Sequence, residues 1–384
     1  MSHDRGCWQV GTEIMSAATQ LGDTVERQAI RATMLAAVYR GVNDVRLETV
    51  PVPQIGRGEI LVRVHTCGIC GTDLKKIATG SHSAPRIFGH ETAGIIAAVG
   101  EGVDAWRIGD RVVVFHHIPC GDCYYCRHKV FAQCPTYKKV GATAGYEASG
   151  GGFAEYVRVM DWIVRRGVER IPDGVSYDRA CFVEPVNTCL KGVVQLNPQP
   201  SDVVVILGQG PIGLLFTMLV QRAGAAIIAT DAMPFRRELA VRFGASAAFD
   251  PRDSGLLDRI MEMTGGRGAD SVIVAASAPG IVEQAVRYSR PGSRILLFAQ
   301  TSQQERIELS GADICVGERS LFGSYSASID LQRESAELVF SGALPVEDLI
   351  SHRFPLNDIR AGIDLALHPQ PKSLKIIVHP QEVV

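Results

Sequence analysis

Two rhythms of apolar and polar residues divide the chain. From Met34 to about Val159 they alternate in short runs, MLAAVYRGVNDVRLETVPVP, EILVRVHTCGIC, RVVVF and GGFAEYVRV, punctuated by Gly, Pro and Asp. A period of two broken by turn residues predicts antiparallel strands, each with one face buried. Around Ser201 the rhythm changes. SDVVVIL is a short continuous apolar strand, followed by a glycine turn and the helical pattern LLFTMLVQRAG; AAIIATD, the helix-like PFRRELAVRFGA, DSVIVAAS and SRILLFAQ extend the series. Apolar strands alternating with helices predict a doubly wound parallel sheet covered on both faces. A last strand, SLKIIVHP, is placed to return to the first region, and residues 1–33 read as an extension without a comparable pattern.

Length agrees with this division, because 384 residues exceed what one ordinary core accommodates. Composition adds exclusions. The chain is 46% hydrophobic and 21% charged with a net charge of −2, which offers no electrostatic reason for a nucleic-acid or acidic-lipid partner. No apolar run approaches the roughly 18–20 residues that span a bilayer, and the N-terminus lacks the apolar centre of a signal peptide. A cytoplasmic protein with no membrane partner is expected.

In a reducing compartment, closely spaced cysteines among the ten present point to metal or redox chemistry before disulfides. Cys120, Cys123, Cys126 and Cys134 follow the spacing C-x2-C-x2-C-x7-C. Four thiolates close a tetrahedron around zinc, and such a site has no open coordination position, so it is structural. A ferredoxin-type iron–sulfur cluster is the competing reading. Asp122, Arg127, His128 and Lys129 make the segment too polar for a core of unliganded thiols. Cys7, Cys67, Cys181, Cys189 and Cys315 stand singly among apolar or small residues and are expected to be buried as small hydrophobes.

The glycine turn is Gly208-Gln209-Gly210-Pro211-Ile212-Gly213, a G-x-G-x-x-G pattern between a strand and a helix. In that position the first glycine permits the turn, the second admits a pyrophosphate and the third lets helix pack on strand. The pyrophosphate meets the positive end of the helix dipole. Asp231, at the end of the second strand, can accept from the ribose diol and repels a 2′-phosphate, which favours NAD over NADP. Arg236 nearby could instead pair with a phosphate or stack on adenine.

HTCGICGTDLKK, GHETAG, the four-cysteine segment, GGFAEY, the Glu184-Pro185 segment and GQGPIG occur in the order seen in zinc-dependent medium-chain dehydrogenases. From about Met34 to its end the chain resembles that family. It looks most similar to the sorbitol (polyol) and threonine dehydrogenase branch, because classical alcohol dehydrogenases have cysteine where this chain has Glu184. The resemblance implies a GroES-like β-rich catalytic domain over residues 34–186 and 328–384, and a Rossmann NAD-binding domain over residues 187–327. It also implies two zinc ions per chain, one catalytic and one structural, and a homodimer or homotetramer.

By the same resemblance Cys70 and His90 ligate the catalytic zinc, with Glu184 or Glu91 completing the set and Asp73 orienting His90. Thr72 matches the hydroxyl that begins the family's proton relay; Lys75 stands where a histidine often ends it, and a lysine is a poor base at neutral pH unless desolvated. Thr188, Ile212, Phe298, Ala299, Gln300, Ser324 and Tyr325 match positions that seat the cofactor, and Lys375 one that meets the pyrophosphate, with an exposed lysine as the alternative. His117, beside His116, matches a histidine of threonine dehydrogenases on the substrate side. Imidazoles suit a polyhydroxy or amino-alcohol substrate better than an apolar one. The implied function is hydride transfer from a secondary alcohol (a polyol, cyclitol or sugar-like compound) to NAD. L-threonine 3-dehydrogenase or general alcohol dehydrogenase activity is the alternative, and a cofactor-binding protein without catalysis the remote one.

Overall fold

A computed structural model describes residues 30–299 and 306–381. The expected extension therefore lies almost wholly outside the described residues, as do Cys7 and Gln300. The first alternating run folds as a hairpin of Thr33–Gly41 and Asp44–Pro51, turned at Val42-Asn43 with Asn43 in the left-handed region at φ 56°. Behind it lies a curled sheet. Its strands run in the order Ile350–Pro355, Lys375–His379, Ile60–Gly68, Glu91–Val99, Arg111–Val114, Val168–Arg170, with Tyr156–Val159 also pairing to Ile60–Gly68. The C-terminal strand does return, pairing antiparallel at Ile377–Gly68 and Val378–Cys67. Glu91–Val99 was not legible as a strand. Its first four residues are all buried, so neither face meets solvent there and ETAGIIAAV has no reason to alternate.

The second region is the six-stranded parallel sheet that the apolar strands require. Its order is Ala247–Phe249, Ala226–Thr230, Val203–Leu207, Ala269–Val274, Ser289–Leu297, Ser320–Gly323, or 3-2-1-4-5-6 along the chain. This is the Rossmann order, and it places a ligand crevice at the C-terminal ends of the strands where the order reverses. The curled antiparallel sheet and the parallel sheet together give the expected GroES-like and Rossmann-type architecture. The short strands Ala247–Phe249, Ser320–Gly323 and Ile350–Pro355 carry too few residues for a periodic signal.

Helix Val183–Leu196 ties the two sheets together. Eleven of its residues are buried, so it has hardly any polar face, as a helix enclosed in a core must. It shares one core with Val113 and Phe115 of the first region and with Val204, Leu214, Leu215 and Phe216 of the second. Cys67, Cys181 and Cys189 are buried as expected, but Cys315 is exposed. It ends the short surface helix Gly311–Cys315, which has no buried residue and so offers the thiol no core to enter. Among the described residues no helix is long and apolar enough to cross a membrane.

Asp178 fastens the returning strands. Its carboxylate accepts from Thr66 Oγ1 at 2.9 Å, His379 Nε2 at 2.7 Å and Arg353 Nε at 2.7 Å. Burial alone raises its pKa, yet the hydrogen bonds from His379 and Arg353 outweigh it and hold the group at about 2. A depressed carboxylate stabilises the fold above its unfolded pKa of ~4, and that stability disappears as pH falls toward the folded value. Asp178→Asn should therefore lower stability at pH 7 by roughly 1.5–3 kcal/mol. The gap from wild type should close between pH ~4 and pH ~2 in thermal melts; a gap independent of pH would refute the ion-pair account.

Candidate functional site

Strand register assembles the site's floor. Gly68 stands opposite Glu91 across the antiparallel pair, so Cys70, two residues beyond one strand, meets His90, one residue before the other. Gly68 is required there, since a Cβ would run into the Glu91 carboxylate and the Lys375 side chain. Cys70 is the N-cap of helix Gly71–Thr79, and its Sγ accepts from the Thr72 N–H at 3.5 Å. The sulfur, a His90 ring nitrogen and a Glu91 carboxylate oxygen all lie within 4.8 Å of one another. One soft thiol, one imidazole and one carboxylate fit the donor set of a catalytic zinc centre with a fourth position left for substrate.

Asp73, wholly buried on the same helix, faces His90 Nδ1 at 3.1 Å. A carboxylate only accepts, so Nδ1 carries the hydrogen and Nε2 is left for a metal. Burial opposes charge on His90, but Asp73 and Cys70 beside it outweigh burial and raise its pKa well above the usual value. Lys375 is only 5% exposed. Its ammonium pairs with Glu91 and donates to the Ile69 carbonyl at 3.1 Å. Of the two expectations, contact with the pyrophosphate and an exposed lysine, this burial removes the second, and Lys375 is not among the residues that line the cavity.

A cavity of about 330 Å³ opens above this floor. It is lined by Cys70, Thr72, Lys75, His90, Glu91, His117, Glu184, Thr188, Ile212, Phe298, Ala299, Ser324 and Tyr325, so residues scattered over most of the chain share one chamber. Glu184 enters from the first turn of helix Val183–Leu196, outside the tight trio. Burial raises its pKa to about 7, helped by Glu91 and opposed by His90. His116 is also buried, and His117 is half-buried. Desolvation holds His116 well below its usual pKa and His117 at about 3. Both rings are therefore neutral, and each has a buried Nδ1 without a hydrogen-bond partner.

Gly208, Gly210, Pro211 and Gly213 form the turn between strand Val203–Leu207 and helix Pro211–Arg222. Gly208 adopts φ 93°, and a Cβ on Gly213 would strike the Gly208 carbonyl. The cradle thus fits the backbone approach a dinucleotide needs. Asp231 accepts from Gln209 N and Met233 N at 2.8 Å each. Arg236 Nη1 lies 3.9 Å from that carboxylate, and its Nη2 donates to the Ser373 carbonyl at 3.2 Å. Lys76, Ala275, Ala276 and Ser277 also line the cavity without a role assigned to them from sequence, as does Ser326, which stands where a mammalian-type sorbitol dehydrogenase would be expected to have arginine. Ala275–Ser277 follow directly on the fourth strand's C-terminal end, and the crevice rule for open parallel sheets would have found them.

The four-cysteine segment forms a compact lobe. Cys123 and Cys126 sulfurs are 3.5 Å apart, Cys134 and Cys120 3.7 Å, and Cys120 and Cys126 3.9 Å. Cys120 and Gly121 N–H groups point at the Cys134 and Cys126 sulfurs, each at 3.4 Å. Four converging sulfurs fit a closed tetrahedral site.

Comparison with known proteins agrees with this geometry. Residues 56–171 match the model of the alcohol dehydrogenase GroES-like domain and residues 211–341 that of the zinc-binding dehydrogenase. The chain is 31% identical over 353 residues to the sorbitol dehydrogenase of Bacillus subtilis, covering 90% of this chain and 97% of the relative. Among solved structures it is similar to an Escherichia coli alcohol dehydrogenase in complex with NADH, at 28% identity and TM-score 0.80, covering 91% of this chain and all of the other. A protein described as a zinc-binding dehydrogenase from Sinorhizobium meliloti, bound to NADP, is 29% identical with TM-score 0.81 over the same shares.

Removing the Lys375 ammonium leaves Glu91 buried without its cation. Lys375→Met should cost about 3–5 kcal/mol, read from the urea denaturation midpoint. Adding Glu91→Gln should recover part of the loss, and purely additive losses would show that the pair does not interact.

Proposed function

The chain belongs to the zinc-type medium-chain dehydrogenase family, oxidoreductases that act on alcohol groups, and from that premise we propose that it oxidises a secondary alcohol of a polyhydroxy substrate with NAD. The observation that carries the reading is the convergence of Cys70, His90 and Glu91 within 4.8 Å on the floor of the cavity that also reaches Thr188, Ile212 and Phe298. Cys70, His90 and Glu91 would hold the catalytic zinc, with Glu184 on the wall of the same cavity, and the four-cysteine lobe would hold a second, structural zinc. When bound, zinc supplies Lewis acidity at the substrate hydroxyl and the dinucleotide supplies the hydride acceptor.

The remaining roles fall to side chains of this chain. Thr72 and Lys75 lie three residues apart, on neighbouring positions of one helix face, and both line the cavity. Thr72 relays the proton leaving the substrate oxygen toward solvent, past the exposed Lys75. His116 and His117 line the cavity as neutral rings, which suits a hydroxyl-rich substrate better than an apolar one. Asp231 receives the ribose diol and disfavours a 2′-phosphate. Arg236 supports the same preference, since its guanidinium already reaches Asp231 and the Ser373 carbonyl. His117 also keeps L-threonine 3-dehydrogenase activity as a second reading.

One screen separates these readings. Polyols, cyclitols, simple alcohols and L-threonine are each offered with NAD or NADP while the reduced nicotinamide absorbance is followed, and metal is measured on the same sample. Activity on polyols with NAD and two zinc ions per chain is expected; Cys126→Ser should lower the content to one. Absence of turnover on every alcohol by the zinc-loaded protein would sink the proposal. Gly213→Ala, which forces a Cβ into the Gly208 carbonyl, should weaken NADH binding at least about tenfold, or by roughly 1.4 kcal/mol, in a fluorescence titration.

A further inference from the structure

Tyr137 lies three residues beyond Cys134, belongs to neither metal cluster, and is 3% exposed. One side of it packs into the four-cysteine lobe with Cys126, Ala132 and Cys134. Its ring stacks on His117, with centroids 4.9 Å apart and planes 22° from parallel. Its hydroxyl reaches the segment that follows the last strand of the parallel sheet. A carbonyl only accepts, so the phenol donates to the Ala327 carbonyl at 3.2 Å and accepts from Ser326 Oγ at 2.7 Å. The same segment is gripped from helix Val183–Leu196. Asn187 bonds both the N–H and the carbonyl of Ser328, at 2.7 Å and 3.0 Å, and Lys191 Nζ donates to the Tyr325 carbonyl at 2.7 Å.

The gripped segment has two features that call for such bracing. Ser324, Tyr325 and Ser326 line the cavity, and Ser326 adopts φ 61°, a left-handed conformation that a residue with a Cβ holds only when its surroundings impose it. The two hydrogen bonds of Tyr137 fall on Ser326 and on the next residue. Through one side chain the lobe therefore touches two separate parts of the chamber's surroundings, His117 and the segment that carries Ser324, Tyr325 and Ser326.

We propose that Tyr137 is a positioning residue through which the four-cysteine lobe sets the width and polarity of the substrate pocket. The inference rests on the alcohol-oxidation reading above and adds a role for the lobe beyond holding its own loop together. Its consequence is specific. Removing the phenol oxygen while keeping the ring leaves the packing on the lobe and on His117, and releases only the segment that carries Ser326.

The test compares Tyr137→Phe, Ser326→Ala and the double variant in the zinc-loaded protein. Tyr137→Phe should retain the wild-type metal content and raise KM for the alcohol about 3- to 10-fold, the loss of one to two ordinary hydrogen bonds, with kcat changed less than about twofold. The double variant should be no worse than the worse single one, because both substitutions remove the same bond. Hydrogen–deuterium exchange of residues 324–328 should quicken in Tyr137→Phe. Unchanged KM and unchanged exchange, even with a lowered melting temperature, would reduce Tyr137 to a packing residue and overturn the inference. If the wild-type protein oxidises no alcohol, the functional reading fails by itself, and the exchange measurement still decides whether Tyr137 braces the segment.

Discussion

One buried ammonium, that of Lys375, makes the acidic corner of the site possible. Cys70 and Glu91 approach within 4.8 Å, Asp73 backs His90 and Glu184 lines the same cavity; the three carboxylates are each at most 6% exposed. Burying one unpaired carboxylate costs several kcal/mol, and three near one another repel as well. Lys375 pairs with Glu91, His90 hydrogen-bonds Asp73, and the Lys76 ammonium also acts on Asp73. Glu184 has its pKa pushed to about 7 instead. The surplus of anionic donors in this corner is what a divalent cation would relieve, which supports the metal site proposed above.

Two clusters of metal-ligating type are built in opposite ways. The lobe draws all four thiols from fifteen consecutive residues, and its short sulfur–sulfur separations arise from local turns whose N–H groups face the sulfurs. The other cluster depends on the Gly68–Glu91 register and on a C-terminal strand that carries Lys375 back to the same edge. A slip of one residue would turn every side chain of a strand to the opposite face and scatter the trio. The lobe has no such dependence, which suits it to bracing a pocket wall through Tyr137.

The chamber's lining mixes charged and neutral polar groups. At the floor, charge is concentrated and paired. Desolvation keeps His116, whose ring lies 4.7 Å from that of His90, and His117 neutral, so this part of the lining is polar without net charge. On the parallel-sheet side, Ile212, Ala275 and Phe298 present an apolar wall. Such a lining suits an uncharged polar substrate lying against a flat aromatic ring.

The sequence by itself determined the two sheet types, because period-two alternation and continuous apolar strands separated by helices each bury their side chains in one kind of layer. It also determined the four-cysteine cluster and the glycine turn, whose chemistry is written in spacings of a few residues. Cys70, His90, Glu91 and Glu184 were legible only through resemblance, since nothing in their separations gathers them. Strand pairing does that. Tertiary structure alone decided that Lys375 is an internal counter-ion and not an exposed cation, that Cys315 is exposed, and that Tyr137 and Ser326 meet across 189 positions of the chain. Each of these depends on which surfaces close on one another, and burial of a polar group is settled by the partners that arrive, not by its neighbours in sequence.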